Sequence, residues 1–203
     1  MKKNVFAFVV TIAVLIGFFS SSWAFGIVVD GFVSDWYGID PIMSDDAGDI
    51  AGAPDLLDVW VTNDEENVYF LLSFVGFTNP FNVFLDTDKT WYTGFPVSGI
   101  GAEYTLRMSD YSYLQGVDIG IIPGAATVVF GPDANVWEAS VSIEALSILT
   151  SGLDGFDFVT LEDSLPCGSV SYNFQPVPEP CTILLLSSGL VPLMRMRKKF
   201  LKK

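Results

Sequence analysis

Residues 25–176 read as one all-β domain, an antiparallel β-sandwich, set between an apolar N-terminal segment and an apolar C-terminal one. Three observations predict it. The middle of the chain is a series of short runs rich in β-branched and aromatic residues, broken by Gly, Pro, Asp or Asn, which is the texture of many short strands. Within "DLLDVWVTN", Leu57, Val59 and Val61 alternate with Asp58 and Trp60, as a strand with one buried face requires. A chain of 203 residues is long enough for one sizeable core and short for two.

The elements follow in order. Residues 1–24 hold Lys2 and Lys3, an apolar run from Val5 to Phe19, and small residues closing at Ser22, Trp23 and Ala24. This is the layout of a secretory signal peptide: charge keeps the start inside, the apolar stretch enters the membrane, and small residues fit the peptidase after Ala24. "DVWVTND" and "NVYFLLSFV" are strands joined by "TNDEEN", whose Asn and Asp suit a hairpin turn. "NVYFLLSFV" is apolar on both faces and belongs in the centre of a sheet. "FNVFLDTD", "GAEYTLRMS", "YSYLQGVDIG", "ATVVF", "VWEASVSI" and "FDFVTLED" supply further strands, and only "SIEALSIL" suggests a short helix. There is no internal repeat.

Residues 177–203 form a third region. The apolar run from Cys181 to Met194 reaches roughly 21 Å as a helix at ~1.5 Å per residue. A hydrocarbon core of about 30 Å wants about 20 apolar residues, so the run suits transient membrane insertion better than a permanent span. Pro192 kinks it, and the cluster Arg195, Arg197, Lys198, Lys199, Lys202 and Lys203 stays on the cytoplasmic side. Val177, Pro178, Glu179 and Pro180, the apolar run and the basic tail, in that order, resemble the PEP-CTERM sorting signal of bacterial envelope proteins. The resemblance implies an exosortase, a membrane-embedded transpeptidase, as partner, with removal of the tail near Pro180. An ordinary tail anchor is the alternative.

A second resemblance covers residues 27–162. "IVVDGFVSDW", "DVWVTNDEENVYFLLSF", "FNVFLDTDKTWYTGF" with "GAEYTL", and "VWEASVSIEAL" stand in the serial order of the sandwich shared by carbohydrate-binding module family 9 and DOMON-like domains. It implies a non-catalytic module that often binds glycans, with calcium supporting loops in some members.

Charge and composition narrow the chemistry. The formal net charge is −14, but between Phe25 and Pro178 two cations, Lys89 and Arg107, face 23 acids, a net of −21. Such a body repels nucleic acid and anionic lipid and attracts cations. The chain has no histidine, which removes Ser-His and Cys-His nucleophile systems and imidazole metal sites. Cys167 is then a lone thiol in an exported body, read as a minor surface or loop residue. Paired carboxylates acting as a glycosidase would need a cleft. The reading is of a protein that is not an enzyme.

Two kinds of candidate site remain. Asp86 and Asp88 stand two apart where a strand enters a loop, Gly94 lets the backbone wrap, and Glu103 is a partner from the next strand. Calcium prefers several carboxylate and carbonyl oxygens, so these three are the candidate ligands and calcium the candidate cofactor, against the reading of a solvated turn. Asp45, Asp46, Asp49 and Asp55 form a second acidic stretch, read as a hydrated loop. A pyranose packs its C–H face on aromatic rings. Trp91 and Tyr92, on the loop after Asp88, are the first candidates, and Trp60, on the face shared with Asp58, is the next. Trp36 reads as a plug at the sandwich end and Trp137 as core. The expected function is that of an exported, exosortase-sorted protein of the cell envelope, surface or matrix that binds extracellular polysaccharide. The alternative is a structural or adhesive protein linked by calcium, without a small ligand.

Overall fold

A computed structural model of the chain describes residues 26–48, 55–76, 81–108, 113–131, 135–162 and 165–176, the side chains at 161–168 excepted. The signal peptide, the Val177 to Pro180 motif, the apolar run to Met194 and Asp49 lie outside the described residues. Among the described residues thirteen strands follow in order: β1 (Met43–Ser44), β2 (Asp55–Asn63), β3 (Asn67–Val75), β4 (Phe81–Asp86), β5 (Phe95–Val97), β6 (Ile100–Ala102), β7 (Tyr104–Met108), β8 (Tyr113–Gly116), β9 (Gly120–Ile122), β10 (Ala126–Phe130), β11 (Val136–Ser142), β12 (Gly155–Glu162) and β13 (Leu165–Asn173). One sheet runs β1-β2-β3-β11-β10, the other β13-β12-β4-β7-β8-β9, and β5 and β6 form a separate hairpin. Every pairing is antiparallel.

Side-chain alternation explains how the layers meet. Along β3, Val68, Phe70, Leu72 and Phe74 enter the main core, while Tyr69 and Leu71 belong to a second apolar cluster. The main core is completed by Phe81, Val83 and Leu85 of β4, Tyr104, Leu106 and Met108 of β7, Phe156 and Phe158 of β12, and Trp137, Ala139 and Val141 of β11. Phe70 and Phe158 meet edge to face with ring centroids 6.2 Å apart. Apolar area of this order is the main source of stability, each large buried side chain contributing about 1.5–3 kcal/mol. β3 is the middle strand of its sheet, as its two apolar faces require.

The outer face of the β3 sheet is covered by the segment from Ile27 to Ile39, which includes a 3-10 turn at Val33–Trp36. Trp36, 3% exposed, packs there against Tyr69, Leu71 and Val136, so it seals a sheet face and not the sandwich end. Glu138 of β11 fastens the cover. Its Oε1 accepts from Trp36 Nε1 at 2.8 Å, and its Oε2 from the backbone N–H of Asp30 at 2.9 Å and of Gly31 at 2.7 Å. The outer face of the other sheet is covered by the β5-β6 hairpin, which sets Val97, Ile100 and Ala102 on Val159 and Phe84.

Several elements differ from the sequence reading. A bulge between Leu56 and Asp58 shifts the phase of β2, so Leu56, and not Leu57, enters the core. "YSYLQGVDIG" is two strands, since Asp118 takes φ +64 and turns the chain between β8 and β9. "GAEYTLRMS" breaks at Glu103, between β6 and β7. Cys167 stands in edge strand β13 and not in a loop. The β2-β3 hairpin forms as expected: Asp64 Oδ1 accepts from Glu66 N at 2.8 Å and Asn67 N at 2.7 Å. The expected helix is one turn, Ile143–Leu146, capped by Ser142. Among the described residues no helix is long and apolar enough to cross a membrane.

Candidate functional site

The end of β4 and the break between β6 and β7 are neighbours because β4 pairs with β7, with Leu85 opposite Tyr104. That register sets Glu103 beside Asp86, and Glu103 N–H donates to Leu85 O at 3.0 Å. One carboxylate oxygen from each of Asp86, Asp88 and Glu103 lies within 4.8 Å of the other two. Among the described residues this is the one trio of acid or thiol groups so close. Asp86 is 1% exposed and Glu103 7%, whereas Asp88 faces solvent.

The inner side of the trio is closed by hydrogen bonds. Asp86 Oδ1 accepts from Thr90 N and its Oδ2 from Gly101 N, each at 3.1 Å. Glu103 Oε2 accepts from Thr87 N at 2.8 Å and Thr87 Oγ1 at 3.2 Å. Glu103 Oε1 is buried and accepts from nothing. The neighbouring Lys89 is engaged elsewhere: it donates to Asn173 Oδ1 at 2.9 Å and lies 3.6 Å from Asp154. Burial pushes both buried carboxyls above the ordinary carboxylate range. The N–H donors work against that rise, and Asp88 adds to it in both cases, with Asp157 also acting on Asp86 and Asp86 on Glu103. A buried acceptor without a partner, among like charges, is the environment that a hard cation with oxygen ligands fits.

The same carboxylates hold a turn. Thr93 N–H donates to Thr90 O at 3.0 Å, closing residues 90–93. Thr90 N–H is the donor to Asp86, and the Thr93 hydroxyl shares its hydrogen between Thr90 O at 2.7 Å and Asp88 Oδ1 at 2.9 Å. Trp91 and Tyr92 are therefore the two central residues of a turn tied at both ends to the acidic trio. They are 71% and 74% exposed, with rings perpendicular and centroids 5.6 Å apart. The turn lies close on β6: a Cβ on Gly101 would collide with the carbonyls of Thr90 and Thr93.

Trp60 is not brought to this place. It is half-buried on the outer face of the other sheet, against the Trp36 cluster, and lines a groove of about 300 Å³ with Tyr37, Gly38, Ile39 and Leu71. Trp137 is core, as expected. Of the second acidic stretch, Asp45 and Asp46 are exposed, while Asp55 is buried and accepts from Gly48 N–H. Sequence reasoning missed Thr87, Thr90 and Thr93, whose role depends on hydrogen bonds that no spacing announces.

No family model matches the chain, and no curated protein matches it. Among solved structures, the chain is similar to a carbohydrate binding module family 9 domain from Caldicellulosiruptor kristjanssonii, solved in complex with cellotriose. The identity is 15%, the match covers 72% of this chain and 79% of that one, and the TM-score is 0.44.

Proposed function

We propose that this chain is an exported envelope protein, sorted by an exosortase-type transpeptidase, whose non-catalytic sandwich binds extracellular polysaccharide on the Trp91 and Tyr92 turn. Asp86, Asp88 and Glu103 would hold calcium behind that turn. The observation that carries the binding site is the coupling just described: an exposed aromatic pair sits on a turn whose two ends are bonded to the acidic trio. Two exposed rings at right angles offer apolar faces to a sugar's C–H surface. Calcium, when bound, would supply the positive charge that the trio lacks. The backbone groups of Thr90 and Gly101 and the hydroxyl of Thr93 hold the carboxylates in place and thereby fix the turn. The envelope address is supported by the sequence order of signal peptide, acidic body, Pro-Glu-Pro motif, apolar run and basic tail.

The test is binding of the purified protein to a glycan array, with calcium and with chelator. Saturable binding that falls about tenfold or more in Trp91→Ala, and is kept in Trp60→Ala, is the expected result. A folded protein that binds no glycan in either condition overturns the reading and leaves a structural protein of the envelope.

A further inference from the structure

The geometry points to the acidic trio as part of the ligand surface itself, with a neutral polysaccharide that presents adjacent hydroxyls as the partner completing the cation's shell. This rests on the reading that the Trp91 turn binds glycan.

The trio is asymmetric. Asp86 has both oxygens engaged by backbone N–H groups, and Glu103 has Oε2 engaged by Thr87, so that side is closed by protein. Glu103 Oε1, buried without a partner, marks the interior position that a cation fills. Asp88 faces solvent, and its contact from Thr93 Oγ1 belongs to the turn that carries Trp91 and Tyr92. Three side chains giving one oxygen each leave roughly three to five places in a shell of about 6–8. The places not closed by protein lie on the Asp88 side, and Asp88 is bonded to Thr93 of the turn that carries the two exposed rings.

Charge selects the class of sugar. A divalent ion on three carboxylates leaves the trio negative by one. Asp157 stands opposite Asp86 in the β4-β12 register, and Asp154 lies beyond Lys89. A polyuronate carries most of its carboxylates away from the ion, where they face Asp154, Asp157 and the acidic body and are repelled. Neutral hydroxyls bring oxygen ligands without that repulsion.

Terbium(III) provides the test, because it occupies calcium sites and its emission is sensitised by nearby indole and phenol rings. Emission lifetimes in light and heavy water count the waters on the ion. With the full protein and a neutral glycan that binds on the array, the count should fall by about two as hydroxyls enter a shell of 6–8. Saturable glycan binding with an unchanged water count, or without any terbium emission, overturns this inference and leaves the aromatic turn as the glycan site. With calcium in place of terbium(III), which would cancel the trio's remaining charge, a uronate polymer that binds more tightly than its neutral counterpart overturns the charge assignment. Absence of binding to every glycan overturns both readings.

Discussion

Glu103→Gln separates a cation site from a solvated turn, because the two states of the protein respond in opposite directions. Without a cation, the glutamate holds an unpartnered buried oxygen beside Asp86 and Asp88, and burial already favours its neutral form. The amide keeps an oxygen for Thr87 N–H and replaces the orphan acceptor with an N–H₂ donor aimed at two carboxylates. Repairing one buried unsatisfied group is worth about 1–3 kcal/mol. At about 2–4 °C per kcal/mol for a domain of this size, the cation-free variant should melt roughly 2–12 °C above the cation-free wild type. Calcium should act the other way. At a hundred times its Kd it stabilises the wild type by about 2.7 kcal/mol, or roughly 5–11 °C. The variant, short of one anionic ligand, should show little of that shift. The assay is thermal unfolding of both proteins in excess calcium and in chelator. An unchanged wild-type melt in calcium refutes the cation site, and a cation-free variant that melts below the wild type refutes the orphaned-oxygen argument.

Three further predictions concern other parts of the chain. Glu138→Ala removes the acceptor for Trp36 Nε1 and for two backbone N–H groups, so it should cost about 2–4 kcal/mol and shift Trp36 emission to the red as the cover over β3 loosens. Burial raises the Glu138 carboxyl, against the hydrogen bonds from Trp36, Gly31 and Asp30 and with some help from Asp35. The folded state therefore binds more protons than the unfolded state between the ordinary value and the raised one. This contribution is complete at acid pH and is lost as pH rises through that window, a slope that Glu138→Gln should flatten in urea titrations across pH. At the other end of the chain, mass spectrometry of the mature surface form should find a C-terminus near Pro180, and recovery of a peptide covering 195–203 would refute exosortase processing.

What the sequence disclosed depended on how far each signal reached along the chain. The main strands were legible because alternation repeats every two residues, and "NVYFLLSFV" and "ATVVF" match β3 and β10 end to end. β13 was not, since Pro166 and Gly168 argue against a strand and are tolerated here because it is the sheet's edge. The β5-β6 hairpin was hidden for another reason: three-residue strands carry no period, and this pair is held by Val159 and Phe84 beneath it. The site divides the same way. Asp86 and Asp88 are two residues apart, and Glu103 lies in the next long run, "GAEYTLRMS", with only the short β5-β6 hairpin between, so the trio could be drawn from local order alone. The fastening of the 90–93 turn to that trio depends on individual donors, Thr90 N–H and Thr93 Oγ1, which become visible only when the loop has closed. Trp60 shows the limit most clearly. Alternation correctly put it on the outer face of its strand, but that face is covered by Ile27 to Ile39, a segment fastened by Glu138 from more than a hundred residues away. An outward position in a strand therefore establishes exposure only when the whole chain has been accounted for, which is why the aromatic pair on the turn, and not Trp60, carries the proposed binding surface.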